Sequence, residues 1–291
     1  MKQLSLALGV RPTGVRMPSM VRKSSRPHLI IKMKFLKEPE KRSRSWLAVQ
    51  DDADELTLHQ RILSADVCIS DLDGTDADPA EEIVLERKVS RFFTQPKYAG
   101  WMIRTGWSVL TNRNPIKKEA AVSECWREYI NLFLRDEKAL SELQARFTVD
   151  KLLSDVYPRV EEFYSILRAQ KFYVTRNIYP IAFPFSSVLG FSGVISEVEN
   201  KEKSIKSFVK RYPYFQRYIV KGDSVSDGEM NDVLKFYKKK EVIKDIVSIY
   251  VSKKPQEGRM NPEFEINIGK DYTAVVDFIK YGPLNKNLIS T

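Results

Sequence analysis

A short apolar run that ends in two carboxylates decides the fold of this 291-residue chain: Val67-Cys68-Ile69-Ser70-Asp71-Leu72-Asp73-Gly74-Thr75. Side chains of a β-strand alternate between its two faces, so residues at positions i and i+2 point the same way. Asp71 and Asp73 would therefore emerge together where the strand ends in a Gly-Thr turn. Because open α/β sheets bind their ligands at the carboxyl ends of the strands, the stretch predicts two acidic groups at a ligand site.

A second apolar run, further along the chain, also ends in carboxylates: Tyr218-Ile219-Val220-Lys221-Gly222-Asp223-Ser224-Val225-Ser226-Asp227. Taken separately, each stretch also fits an acidic loop or a helix cap. Carboxylates brought close together repel one another and raise each other's pKa unless a cation joins them. Oxygen ligands used singly, with water and phosphate completing the shell, suit Mg²⁺. The pair of stretches thus favours a magnesium site.

These two stretches resemble the first and last motifs of the haloacid-dehalogenase-like (HAD) phosphohydrolases. The resemblance covers about residues 60–76 and 156–280. The second motif of that family is a Ser or Thr that ends a strand, and Thr175 fits because it follows Phe172-Tyr173-Val174. Thr111 is the alternative, at the end of Ser108-Val109-Leu110. The prolines and glycines before that run make a poor helix, so Thr175 is preferred.

The third motif of the family is a lysine that opens a helix before the last conserved strand. Lys203 is assigned to this motif, in the run Lys203-Ser204-Ile205-Lys206. Two neighbouring lysines, Lys201 and Lys206, compete with it and stay open as alternatives.

The resemblance implies a catalytic role for each matched residue. Asp71 would be the nucleophile and Asp73 the general acid and base. Thr175 would bind a phosphoryl oxygen, and Lys203 would offset negative charge. The resemblance also implies a Mg²⁺ site made by Asp71, Asp73, Asp223 and Asp227, in which Asp73 contributes its backbone carbonyl.

The periodicity predicts an α/β fold with a doubly wound parallel sheet. Strand-like runs near 66–70, 172–175, 194–198, 217–220, 246–251 and 264–268 mostly alternate with helical segments. The resulting HAD-type Rossmannoid core would comprise residues 51–76 and 156–291. Residues 77–155 read as helical, and the resemblance identifies them as a cap of the C1 type, placed as in phosphoserine phosphatases.

The net charge of +10 belongs to the amino-terminal part of the chain. Residues 1–50 hold 12 of the 48 basic residues and only two of the 38 acidic ones, so the remainder is electroneutral. We expect these residues to form a basic extension without fixed structure. Such an arm could contact nucleic acid or an anionic membrane, or direct the protein to an organelle.

Histidine chemistry and disulfides have little support in the composition. The chain contains two histidines, His28 and His59, both far from the motifs, and two cysteines, Cys68 and Cys125. The resemblance to the HAD phosphohydrolases implies a cytoplasmic, Mg²⁺-dependent phosphomonoester hydrolase that acts on a small phosphorylated metabolite through an aspartyl-phosphate. A phosphomutase or phosphotransferase with the same site is one alternative. A nucleic-acid- or membrane-binding protein that uses its basic arm is another.

Overall fold

A computed structural model describes residues 33–38, 44–77, 149–177, 179–252, 261 and 263–283, with scattered positions between 100 and 141. These residues form one eight-stranded sheet and the helices that cover it. The strands are β1 (Met33–Lys37), β2 (Leu47–Gln50), β3 (Val67–Ser70), β4 (Gln170–Val174), β5 (Gly193–Ile195), β6 (Arg217–Gly222), β7 (Asp245–Ser252) and β8 (Ile266–Gly269).

The strand order across the sheet is β1-β2-β8-β7-β6-β3-β4-β5. The six strands from β8 to β5 are parallel, whereas β2 pairs antiparallel with β8 and β1 antiparallel with β2. The six strands predicted from the sequence are all present, and the doubly wound α/β class is confirmed. The two motif-bearing strands, β3 and β6, are direct neighbours, which brings their loops to one place.

Helices pack on both faces of this sheet. They are α1 (Glu55–Leu63), α2 (Val149–Asp155), α3 (Val160–Ile166), α4 (Tyr179–Val188), α5 (Lys201–Arg211), α6 (Val225–Lys239) and α7 (Thr273–Tyr281). Alternate residues of β3 enter two separate apolar layers: Cys68 packs on the side of α1, α3, α4 and α7, while Val67 and Ile69 pack on the side of α5 and α6. Among the described residues, no helix is both long and apolar enough to cross a membrane.

The amino-terminal boundary predicted at residue 50 does not agree with the sheet. Residues 33–50, assigned above to an unstructured extension, supply β1 and β2. β2 belongs to the core of the sheet, because it pairs with β8 and its residues Leu47, Ala48 and Val49 are buried. The basic charge of this region does not indicate a lack of structure. Edge strands such as β1 often carry lysine, which discourages pairing with other chains.

The predicted cap, residues 77–155, lies almost entirely outside the described residues. The described part includes α2 and a few helical positions between 103 and 111. Thr111 belongs to one of these helical positions, and its Oγ1 donates a hydrogen bond to the carbonyl of Trp107 at 2.9 Å. The alternative that placed Thr111 at the end of a strand is therefore wrong.

Two truncations test the revised boundary. Deleting residues 1–50 should destabilise the fold strongly, because it removes four side chains that are at most 2% exposed: Trp46, Leu47, Ala48 and Val49. Burying one large apolar side chain stabilises a protein by about 1.5–3 kcal/mol, so the loss approaches the whole stability of a typical domain. Deleting residues 1–32 is the matched control, because it leaves β1 and β2 in place. Thermal unfolding followed by circular dichroism compares them, and equal midpoints would contradict the boundary.

Candidate active site

The loops after β3 and β6 lie side by side at the carboxyl edge of the sheet. The strand register pairs Ser70 with Lys221, and the Asp71 amide donates to the Lys221 carbonyl at 3.0 Å. The turn that follows Asp73 comes very close to the loop after β6. Gly74 has a φ of +73°, and a Cβ atom there would lie 2.0 Å from Asp223 Oδ2. Only glycine permits this contact between the loops.

Three carboxylates meet between these loops. Asp71, Asp223 and Asp227 each place a side-chain oxygen within 4.8 Å of the others. Burial raises the pKa of Asp71 to about 6, with repulsion from Asp227 adding to the rise against the attraction of Lys201. Burial also raises the pKa of Asp223 to about 8, and the charges of Asp227 and Asp71 contribute. The negative charge of the cluster is therefore only partly balanced by the protein.

Lys201 is the cation at the centre of this cluster. Its Nζ lies 2.9 Å from Asp71 Oδ2 and 2.5 Å from Asp227 Oδ1, and the side chain is 2% exposed. Burial by itself would lower the pKa of Lys201, but the attraction of Asp227 and Asp71 outweighs it and the pKa is raised. Lys201 is the first residue of α5, which Asn200 caps by accepting a hydrogen bond from the Lys203 amide at 2.7 Å.

The structure does not place Lys203 at the site, which corrects the assignment made from the sequence. Lys203 lines a separate groove of about 450 Å³ between β5 and α5. Lys206 is exposed and pairs with Glu202 on the surface of α5. Residues two and five positions apart lie on different faces of a helix, so the face that turns Lys201 to the carboxylates turns Lys203 and Lys206 away from them.

Asp227 organises the loop that carries Asp223. Its Oδ2 accepts hydrogen bonds from the amides of Asp223 and Ser224, both at 3.0 Å, and from Ser224 Oγ at 2.7 Å. This arrangement forms a capping box at the start of α6. Since Oδ1 already binds Lys201, both oxygens of Asp227 are engaged. Asp227 therefore positions Lys201 and the loop around Asp223.

Asp73 lies outside the group of three carboxylates. Its two oxygens each lie 2.9 Å from Nδ2 of Asn177, which donates to them. The structure thus gives no support for the Asp73 side chain as a metal ligand, and it leaves the backbone carbonyl as the group that the family resemblance implies. Asn177 is a site residue that the sequence analysis missed. It stands two positions after Thr175, so the same i, i+2 rule that paired Asp71 with Asp73 would have found it.

Thr175 leaves β4 beside the first acidic loop. β3 ends at Ser70 and β4 at Val174, so Asp71 and Thr175 are the first residues after two adjacent strands. Thr175 is fully buried, and its Oγ1 accepts a hydrogen bond from the Asn177 amide at 3.1 Å. The structure thus brings Thr175 to the same edge of the sheet as the carboxylates.

The donor set of the cluster fits a hard divalent cation. It offers carboxylate oxygens only, with no described histidine or cysteine among them. The raised pKa values of Asp71 and Asp223 show that a positive charge at this place would be favourable. Oxygen ligands of this kind are preferred by Mg²⁺, Ca²⁺ and Mn²⁺.

Comparison with known proteins identifies the fold. No protein-family model matches the chain, and a search of curated proteins finds no significant match. Among solved structures, cytosolic 5′-nucleotidase IIIB bound to cytidine is similar with a TM-score of 0.56 and 14% identity, over 80% of this chain and 92% of that one. YfnB from Bacillus subtilis, assigned as a HAD hydrolase and bound to magnesium, gives a TM-score of 0.46 and 12% identity, over 74% of this chain and 98% of that one.

A third similar structure is that of a Vibrio cholerae protein assigned as a phosphoserine phosphatase. It has a TM-score of 0.47 and 10% identity, over 80% of this chain and 69% of that one. At 14% identity and a TM-score of 0.56, the similarity to cytosolic 5′-nucleotidase IIIB establishes the fold alone, and it agrees with the α/β fold that the sequence predicted. The argument for an activity rests on the residues of the site.

The position of Lys201 leads to a stability test in the absence of divalent cations. Lys201→Met should lower the free energy of unfolding by about 3–5 kcal/mol, because it leaves buried carboxylates without their cation. The deficit should be larger at about pH 8 than at about pH 5, since protonation of the carboxylates relieves the repulsion.

Lys203→Met is the matched control, two positions along the same helix, and should leave stability unchanged. Urea unfolding of the two variants and the wild type at both pH values provides the measurement. A larger loss of unfolding free energy for Lys203→Met than for Lys201→Met would identify Lys203 as the lysine that neutralises the carboxylates.

Proposed function

We propose that this protein is a Mg²⁺-dependent phosphomonoester hydrolase in which Asp71 forms an aspartyl-phosphate. One observation carries the proposal: the Asp71 carboxylate contacts Lys201 and lies within 4.8 Å of Asp223, while Asn177 binds the carboxylate of Asp73 two residues away. This arrangement supplies a nucleophile, a cation beside it and a second carboxylate for proton transfer. All of them lie at the carboxyl edge of the sheet.

Phosphate-monoester hydrolysis demands more than one catalytic device. Its uncatalysed rate is so low that enzymes accelerate it up to about 10²¹-fold, whereas one general base contributes about 10²–10⁴. Covalent catalysis and charge stabilisation must therefore act together. The close arrangement of Asp71, Lys201 and Asp73 supports such a combination.

In the first step, an oxygen of Asp71 attacks phosphorus and the bond from phosphorus to the ester oxygen breaks. Asp73 donates its proton to the departing oxygen, so the alcohol leaves neutral. In the second step, Asp73 takes a proton from water, which attacks phosphorus and releases phosphate from Asp71. Lys201 stabilises the negative charge on Asp71 and on the phosphoryl group, and Thr175 donates a hydrogen bond to a phosphoryl oxygen.

Asn177 gives Asp73 a fixed orientation for both proton transfers. Its side-chain Nδ2 contacts both oxygens of Asp73. Its backbone amide donates a hydrogen bond to Thr175 Oγ1. The acid that protonates the leaving oxygen and the hydroxyl that binds the phosphoryl group are thus connected through one residue. Asn177 acts through Asp73 and is a positioning residue.

Asp71 and Asp223 would hold Mg²⁺ with their side chains, with the Asp73 carbonyl completing the protein ligands. When bound, the cation offsets the charge of the phosphoryl oxygens and of the two carboxylates. Asp227 lies behind this pair and keeps the loop of Asp223 and the Lys201 ammonium in place.

The substrate of this chain is left open by the described residues. Cytosolic 5′-nucleotidase IIIB, the structure with the TM-score of 0.56, is bound to cytidine, and that ligand is a property of that protein. A small phosphorylated metabolite stays the predicted substrate. A phosphomutase would use the same residues, and release of free phosphate distinguishes hydrolysis from transfer. The cytoplasmic location and the binding roles of the basic arm stay predictions, because residues 1–32 lie outside the described residues.

Asp71→Asn tests the nucleophile. The variant should fold but lose release of phosphate from p-nitrophenyl phosphate and from a panel of phosphorylated metabolites, because an amide oxygen is a poor nucleophile. Asp232→Asn, an exposed change on α6, is the control and should keep full activity. Wild-type activity should disappear with a chelator and return with Mg²⁺. Appreciable turnover by Asp71→Asn, or no effect of the chelator, would contradict the mechanism.

Asp73→Asn tests the proton transfers by comparing leaving groups. Release of an alkyl alcohol should fall by about 10²–10⁴, since the alcohol needs a proton to leave. p-Nitrophenol leaves without that help, so the first step should survive while the second step loses its base. The variant should therefore release one equivalent of p-nitrophenol rapidly and accumulate phosphate on Asp71, which mass spectrometry detects. Equal losses for both leaving groups and no phosphorylated protein would rule out this role.

A further inference from the structure

A buried ion pair lies directly behind the active-site loops. Lys221 Nζ donates a hydrogen bond to Asp76 Oδ1, and neither side chain has any exposed surface. Asp76 ends the turn that carries Asp71 and Asp73, and Lys221 is the residue before Gly222 in β6. The mechanism proposed above uses neither of them.

Aromatic residues enclose this pair. Tyr164 and Tyr173 donate their hydroxyl protons to Asp76 Oδ2 at 2.6 and 2.9 Å. The ammonium of Lys221 lies 4.4–4.8 Å from the ring centres of Phe163, Tyr164 and Tyr272. Burial and the charge of Asp76 raise the pKa of all three tyrosines, so each keeps the proton that it donates.

Stability alone does not explain an ion pair at this depth. Removing two charges from water costs several kcal/mol per ion, and replacing such a pair by apolar residues of similar volume is often neutral or stabilising. The neighbours of Lys221 in β6, Ile219 and Val220, show that apolar residues fit this strand. Net stability is thus a weak reason for keeping this pair.

The hydrogen bonds of the pair connect it to both acidic loops. The backbone carbonyl of Lys221 accepts from the Asp71 amide, so one residue binds the first loop through both its backbone and its side chain. Tyr272, at the start of α7, accepts from Lys221 Nζ at 3.0 Å and donates to the Thr75 carbonyl at 2.7 Å. Thr75 Oγ1 in turn lies 3.4 Å from Asp223 Oδ1. The turn after Asp73 is thus bound from behind at two successive residues.

We propose that the Asp76–Lys221 ion pair and the Tyr272 hydroxyl are positioning groups that fix the distance between the Asp71 and Asp223 carboxylates. This inference rests on the proposed function, because it assigns these groups to the same phosphoryl-transfer site. Misplacement of reacting groups by 1 Å can lower a rate by about 10²-fold, so a rigid connection between the two loops has a large effect on turnover.

The double variant Asp76→Asn/Lys221→Met is the sharpest test. It removes both charges while keeping side-chain volume and partners for the tyrosine hydroxyls, so its unfolding midpoint should stay near that of the wild type. The kcat for p-nitrophenyl phosphate should nevertheless fall at least about tenfold with little change in KM, because substrate is still bound while the loops lose their connection. A stable double variant with wild-type kcat would overturn the proposal.

Arg61→Met is the matched control at the opposite edge of the sheet. Arg61 is partly buried and binds Asp245, at the start of β7, and Glu265. Its loss should lower the unfolding midpoint and leave kcat unchanged at temperatures where the variant is folded. A similar fall in kcat for Arg61→Met would show that any loss of stability slows turnover, and it would also overturn the proposal.

Binding of Mn²⁺ by the protein without substrate separates this inference from the proposed function. Mn²⁺ shares the oxygen ligands of Mg²⁺, and electron paramagnetic resonance measures its free concentration. The double variant should bind Mn²⁺ at least about tenfold more weakly than the wild type, whereas Arg61→Met should bind it equally well. If the wild type hydrolyses no phosphate ester yet this difference is found, the proposed function fails and the positioning role stands. Equal Mn²⁺ affinity in the double variant would remove the positioning role.

Tyr272→Phe tests the positioning role if the double variant does not fold. It keeps the ring and the ion pair and removes only the hydroxyl that links Lys221 to the Thr75 carbonyl. One hydrogen bond contributes about 1 kcal/mol, so kcat should fall about fivefold with KM unchanged. Wild-type kcat in this variant would contradict the proposed connection.

Discussion

The proximity of negative charge at the ends of β3 and β6 is the constraint on which the rest of the site depends. Adjacent parallel strands bring Asp71 and Asp223 together, and the positive φ of Gly74 lets the two loops touch. Carboxylates so close together repel strongly in a buried environment. The residues around them therefore do one of two things: they supply positive charge, as Lys201 does, or they hold a carboxylate in a fixed direction, as Asn177 does.

Lys201 and Lys221 are buried lysines with different partners at this edge of the sheet. Lys201 faces the ligand side and contacts Asp71 and Asp227. Lys221 faces the interior, where it contacts Asp76 and the Tyr272 hydroxyl. Each comes from a different element, α5 and β6, so the active-site loops are bound from both sides. Arrangements of this kind restrict loop movement because each charged group would lose its partners if the loop shifted.

Much of the fold could be predicted from the sequence, because buried parallel strands read as continuous apolar runs followed by turns. The strands of the core and the place of Asp71, Asp73 and Thr175 followed from that rule. β1 and β2 were missed because they stand in a strongly basic part of the chain, and charge says little about whether a strand pairs. The lysine that contacts the carboxylates could not be chosen from spacing alone. The choice depends on where α5 begins, and the Asn200 cap that sets this start is a weak signal in the sequence.

The pKa of Asp245 shifts in the opposite direction to the pKa values of Asp71 and Asp223 at the site. Hydrogen bonds from Arg61 and Lys238 outweigh burial and lower the pKa of Asp245, so ionised Asp245 stabilises the folded chain, and this contribution is lost as the pH falls. Asp71 and Asp223 behave oppositely: burial raises their pKa values from 3.8 to about 6 and about 8. A carboxyl group whose pKa rises on folding weakens the fold as the pH increases across that interval. Without a cation, these two residues therefore destabilise the protein near neutral pH, which is expected of groups retained for binding and chemistry.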